Sequence, residues 1–159
     1  MICLMSYNQL RKGRHSESGG HYFITATTAG RRPWFEQFDL ARIAIAEMKR
    51  LHHQSAIDSM AWVLMPDHLH WLFVLGETLQ LAQVLNTFKG RSSRAINLRL
   101  GRTGALWQPS YHDHALRADE DLKAVARYIV ANPLRANLVA RLDDYPHWDA
   151  AWLDAGRAP

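Results

Sequence analysis

Apolar positions recur every second residue in four short runs of the chain and at three-and-four spacing in longer ones. His21 to Thr28 sets Tyr22, Ile24 and Ala26 against Phe23, Thr25 and Thr27, which predicts a first strand closed by Gly30-Arg31-Arg32-Pro33. From about Glu36 to His53, Leu40, Ile43, Ala44, Met48 and Leu51 share one helical face, with Arg42, Glu47, Lys49 and Arg50 mostly elsewhere. Ile57 to Met65 reads as a second strand, Pro66-Asp67 suits the centre of a tight turn, and a third strand runs on to Gly76, so the two should pair as an antiparallel hairpin. Thr78 is placed to cap a second helix, in which Leu81, Val84, Leu85, Phe88 and Ile96 repeat toward residue 98. Tyr111 to Arg117 alternates as a short fourth strand. Asp119-Glu120-Asp121 then puts acids where a helix dipole favours them, opening a helix that runs to about Ala131, with a short helix from Leu134 beyond Pro133.

This order predicts an α+β fold: a ferredoxin-like, RRM-like four-stranded antiparallel sheet with helices packed on one face, and a further helix toward the C-terminus. Residues 1–20 have no such periodicity over 6–20 and are rich in Arg, Lys, Ser and Gly, which marks a basic N-terminal arm. The domain proper spans 21–140. The tail 141–159 carries Tyr145, Trp148 and Trp152, too aromatic for a free segment, and should pack back on the domain.

Composition narrows the function classes. At 159 residues and 48% hydrophobic, the chain suits one compact domain. Nineteen Lys and Arg against fifteen Asp and Glu give a net charge of +4, which favours an anionic partner. Cys3 is the single cysteine, so no internal disulfide forms. No run approaches the roughly 20 apolar residues of a membrane span, and no leader pattern opens the chain, so a cytoplasmic protein is expected.

Candidate chemistry lies in Met65-Pro66-Asp67-His68-Leu69-His70-Trp71-Leu72-Phe73. Strand side chains alternate between faces, so His68 and His70 share one face and Leu69 and Trp71 the other. Two neighbouring imidazoles are costly to bury unless their nitrogens find partners, and a divalent cation supplies them. Farther on, Tyr128 and Asn132 stand four apart on a predicted helix and so share a face. Two neutral imidazoles and an amide oxygen would leave coordination positions open, as a catalytic Mg²⁺ or Mn²⁺ site needs. A tyrosine beside such a cation can attack a phosphodiester and form a covalent phosphotyrosine.

These segments resemble the single-tyrosine HUH transposases, in the branch associated with repetitive extragenic palindromes (REPs). The likeness rests on Met65 to Trp71, Trp107-Gln108, Arg127-Tyr128-Ile129-Val130-Ala131-Asn132-Pro133 and Tyr145-Pro146, and covers roughly residues 6 to 150. It implies an HUH palm of ferredoxin-like form and cleavage of single-stranded DNA beside imperfect hairpins, through a 5′-phosphotyrosine with a free 3′-OH. It also implies Tyr128 as nucleophile and a Mg²⁺ or Mn²⁺ ion held by His68, His70 and, one turn after the tyrosine, Asn132. The palindrome-associated branch implies a monomer, although a dimer sharing sites is an open alternative.

Plainer readings compete. Tyr128 alone would be an ordinary helix residue, and Asn132 before Pro133 suits a helix end. His112-Asp113-His114 repeats the His-x-His spacing without the apolar flanks, which favours a structural or DNA-contacting role. Candidate DNA contacts are Arg11, Lys12, Arg14, Lys89, Arg91, Arg94, Arg102 and Arg127, for phosphates, with Trp107 either stacking on an unpaired base or packed in the core. The rival functions are a replication-initiator-like nickase and a non-catalytic hairpin-binding module of RRM-like fold. The latter needs base-stacking aromatics on an open sheet face.

Overall fold

The computed structural model describes residues 16–152. Its elements run β1 (His21–Thr27), α1 (Phe38–His53), β2 (Ile57–Leu64), β3 (His68–Leu75), α2 (Leu81–Leu100), β4 (His112–Ala115), α3 (Leu122–Val130), α4 (Asn132–Arg135) and β5 (Trp148–Ala150). The strands form one antiparallel sheet in the order β4-β1-β3-β2-β5. β3 lies between β1 and β2, so the β1-α1-β2 crossover is split by the strand that carries the histidines. That is the ferredoxin-like arrangement.

α1 and α2 cover one face. Leu40, Ala44, Ile45, Met48 and Leu51 of α1 and Val84, Leu85, Phe88 and Ile96 of α2 pack with Ile24, Trp62, Leu64, Leu69, Trp71 and Phe73 of the strands. Trp71 is fully buried, and its indole N–H donates to Ser59 Oγ at 2.9 Å, which satisfies its one polar atom. Among the described residues, no helix is long and apolar enough to cross a membrane.

The structure departs from the sequence expectation in three places. The sheet has five strands rather than four, because part of the tail pairs with the outer edge of β2 (Val63↔Trp148 to Ala61↔Ala150). An edge of unpaired backbone groups is thereby covered. Helix α2 begins at Leu81, capped by Gln80 in a reciprocal box with Gln83, and Thr78 precedes it. The second face of the sheet is also occupied: Ala126 and Ile129 of α3, Tyr145 and Ala150 pack there with Ala61, Val63, Met65 and Leu72.

Tyr145 fastens that second layer. Its hydroxyl donates to the Leu64 carbonyl at 2.6 Å, and burial pushes its pKa up to about 12. Tyr145→Phe leaves the carbonyl without that donor, at an expected cost of about 1–2 kcal/mol in urea unfolding. An unchanged midpoint would mean that the bond holds nothing in place.

Candidate metal centre and nucleophile

β3 pairs with β1 so that Thr25 stands opposite His70 and Thr27 opposite His68. Directly opposed residues project to the same face, which places both histidines on the α3 side and leaves Leu69 and Trp71 under α1 and α2. The two imidazole centroids lie 4.8 Å apart, edge to face at 79°.

Each imidazole is held through one nitrogen. His68 Nδ1–H donates to Asp67 Oδ1 at 2.7 Å, because an ionised carboxylate only accepts, and Nε2 is the ring nitrogen left over. Burial alone would raise the Asp67 pKa, but its bonds to His68 and Arg31 outweigh this and hold it below the usual value. His70 Nδ1 lies 2.8 Å from Thr25 Oγ1, which can accept its proton. Both Nε2 atoms are then left over, the second-sphere arrangement that fixes the tautomer and ring orientation of metal-bound histidines. Burial, then His68, then the charge of Arg135 push the His70 pKa down to about 4, so this imidazole is neutral, as a ligand must be.

The helix carrying Tyr128 is anchored at its N-terminus by Asp121, whose Oδ1 accepts from the backbone N–H of Lys123 and Ala124. Ala126 and Ile129 face the sheet, which turns Tyr128 outward, 57% exposed. Tyr128 and Asn132 are not on one continuous helix, as the spacing had suggested: α3 ends at Val130 and Asn132 is the first residue of α4. Pro133 has no N–H to continue the ladder onto the Ile129 carbonyl, and Asn132 Nδ2 donates to that carbonyl instead, at 2.9 Å. The repair occupies the amide nitrogen of Asn132 and leaves its Oδ1 as a free-standing oxygen donor.

Arg135 was missed from sequence. Its guanidinium lies over the Tyr128 ring at 4.0 Å, it donates to the Tyr128 carbonyl at 2.8 Å, and its charge reaches His70. Arg135 thus packs on the candidate tyrosine, and its charge is felt at His70. The sequence signal was its position seven residues after the tyrosine, two turns along, visible only once α4 is known to fold back. Among the described residues, no group of three His, Cys, Asp or Glu forms a metal site. His68, His70 and Asn132 would offer two imidazole nitrogens and one neutral oxygen, a set that leaves positions for the water and phosphate oxygens that Mg²⁺ or Mn²⁺ takes.

The other candidates divide. Arg11, Lys12 and Arg14 lie outside the described residues. Arg94 and Arg127 are exposed, and Arg91 is half-buried. Two readings are corrected. Lys89 Nζ donates to the carbonyls of Gln108 and Ser110 at 2.8 and 2.6 Å, so its charge braces the loop before β4 rather than a phosphate. Trp107 is only 4% exposed, packed against Phe35 and Phe88 with its N–H on Ser92 Oγ, so it offers no face for a base. Of the rival histidines, His114 is engaged by Glu120 at 2.8 Å.

The family model described as "Transposase IS200 like" matches residues 16–132. The chain belongs to that family. Among curated relatives of this IS200-like transposase, a REP-associated tyrosine transposase of Escherichia coli is 28% identical over 136 residues, 84% of this chain and 78% of that one. A putative REP-associated tyrosine transposase of Haemophilus influenzae is 24% identical over 144 residues, 84% and 81% of the two chains. Among solved structures, a REP-associated tyrosine transposase bound to a REP hairpin aligns with a TM-score of 0.75 at 22% identity, covering 94% of this chain and 88% of that one. A putative transposase from Deinococcus radiodurans aligns with a TM-score of 0.52, also at 22% identity, covering 77% and 96%. The palindrome-associated likeness of the motifs is matched by the relatives from Escherichia coli and Haemophilus influenzae and by the hairpin-bound structure.

Two outcomes are expected. Asp67→Ala should weaken Mn²⁺ binding about 10- to 100-fold by calorimetry with the fold intact, since His68 loses its orienting partner; unchanged affinity would remove Asp67 from the site. His70 takes up its proton later than an unfolded histidine, so its contribution is complete above about pH 6.5 and lost as pH falls toward 4. In EDTA, the urea midpoint should drop from neutral pH to about pH 4.5, and drop less in His70→Gln. Equal drops would show that His70 is not the group responsible.

Proposed function

We propose that this transposase is a metal-dependent, single-tyrosine strand transferase that cuts single-stranded DNA beside hairpin-forming palindromic repeats. The observation that carries the reading is the histidine pair whose Nδ1 atoms are both engaged and whose Nε2 atoms are both left over, on the sheet face that α3 covers.

His68, His70 and Asn132 would hold the ion. A bound Mg²⁺ or Mn²⁺ supplies positive charge to the non-bridging oxygens of the scissile phosphate, which makes the phosphorus a better electrophile. Tyr128 Oη gives up its proton and attacks phosphorus, the P–O3′ bond breaks, and the departing 3′ oxygen takes a proton. The 5′ end is left as a phosphotyrosine. Attack by a 3′-OH on the same phosphorus reverses the sequence and rejoins DNA without ATP, because a phosphodiester is exchanged for a phosphodiester. Arg135 keeps the exposed phenol from wandering by stacking on its ring, which reduces the orientational freedom lost at reaction.

That α3 lies on β2 and β3 of its own chain supports a monomer in which histidines and tyrosine would come from one polypeptide. A hairpin partner is supported by the relative solved with a REP hairpin. The RRM-like binding module is disfavoured because helices and tail occupy both sheet faces, leaving no platform of open aromatics.

Incubation with labelled hairpin DNA carrying an unpaired flank and Mg²⁺ should give an SDS-stable protein–DNA adduct. Tyr128→Phe should give none, and His68→Ala or His70→Ala should abolish cleavage while hairpin binding persists. An equal adduct with Tyr128→Phe would refute the covalent route.

A further inference from the structure

At the His68 end of the sheet the chain gathers donors that neither the metal centre nor the nucleophile uses. Residues 28–36 leave β1 there and are pinned to the β2–β3 turn. The Thr28 N–H donates to the Asp67 carbonyl at 2.9 Å, the Phe35 N–H to the Pro66 carbonyl at 3.0 Å, and Arg31 pairs with Asp67 at 3.2 Å. On this loop the Trp34 ring lies between elements that bring two guanidiniums over it, Arg32 at 5.6 Å and Arg102 at 4.8 Å. Arg102 comes from the loop after α2 and is itself held: it donates to Asn97 Oδ1 at 2.7 Å, while Asn97 Nδ2 donates to the Gly104 carbonyl at 2.9 Å.

The indole N–H of Trp34 is buried and finds no acceptor among the described residues. A buried donor without an acceptor is disfavoured, and two cations on one ring repel each other. The indole N–H and the two guanidiniums over its ring are all donors, so the component that would complement them is an anionic acceptor. The Arg31–Asp67–His68 chain of contacts ties the cluster to the metal centre, so a strand lying across His68 would run onto it.

We propose that Arg32, Trp34 and Arg102 form a phosphate-binding site for the unpaired strand that flanks the cleavage position. The inference rests on the proposed reading of the substrate as DNA cut beside a hairpin. The unpaired strand is the occupant, rather than the stem, because the cluster adjoins the ligand that would lie against the scissile phosphate. Rigid guanidiniums stacked on an indole suit backbone phosphates, for which the arginine fork is shaped.

The test is fluorescence anisotropy in EDTA with two DNAs, a hairpin bearing its unpaired flank and the same hairpin trimmed to its stem, across a salt series. The double variant Arg32→Ala/Arg102→Ala should bind the flanked DNA about tenfold more weakly, with a salt slope shallower by about 0.7 for each phosphate released. Its affinity for the trimmed hairpin should stay within about twofold. Arg32→Lys/Arg102→Lys, which keeps the charge, should retain most of the slope. Unchanged binding of the flanked DNA by the alanine variant overturns the site alone, and equal weakening of both DNAs overturns it by assigning the contact to the stem. Wild-type protein that binds neither DNA overturns the site together with the substrate reading beneath it.

Discussion

β3 is paired along its length on both sides, with β1 from Thr27↔His68 to His21↔Val74 and with β2 from Leu64↔Leu69 to Ile57↔Leu75. Everything in the site follows from that register. A slip of one residue would turn His68 and His70 into the α1–α2 core and drive Leu69, Trp71 and Phe73 out of it. Those three side chains are fully buried, and burying each is worth about 1.5–3 kcal/mol, so the slip is opposed by several kcal/mol before the stranded imidazoles are counted. The hydrophobic core on one face thus fixes the chemistry on the other.

The polar side of the sheet is built by satisfying its own hydrogen bonds. His68 uses Asp67, His70 uses Thr25, and the Ile129 carbonyl, left without a helical donor by Pro133, uses Asn132. Buried polar groups need partners in any fold. Here the partners are chosen so that each candidate ligand keeps one donor atom in reserve: Nε2 on both histidines and Oδ1 on the asparagine. Arg135 adds a cation over the ring of the candidate tyrosine, and the tail, through Tyr145 and β5, holds the β2 edge.

Much of this was legible in the sequence. The strand and helix periods located every major element, because each buries a stripe or a face, and the His-x-His spacing within an apolar strand stated which residues share a face. Family motifs supplied the tyrosine. The strand at Trp148 was not legible, since three residues pairing with a distant edge leave no periodic trace. Nor was the break between Tyr128 and Asn132, which turns on where Pro133 interrupts the ladder. Trp107 and Lys89 looked like DNA contacts because exposure is invisible in composition; the fold assigns one to the core and the other to a loop. Asp67, explained well enough by the turn, proved also to hold His68, a role that only the side-chain geometry reveals.

The central claim is that His68 and His70 present their Nε2 atoms to a single cation. Electron spin echo modulation of Mn²⁺ bound to the transposase measures the nitrogen nuclei coordinated to the metal. Two imidazole nitrogens in the wild-type protein, falling to one in His70→Ala, is the predicted result. A Mn²⁺ signal free of nitrogen coupling, or one unchanged by the substitution, would contradict the account.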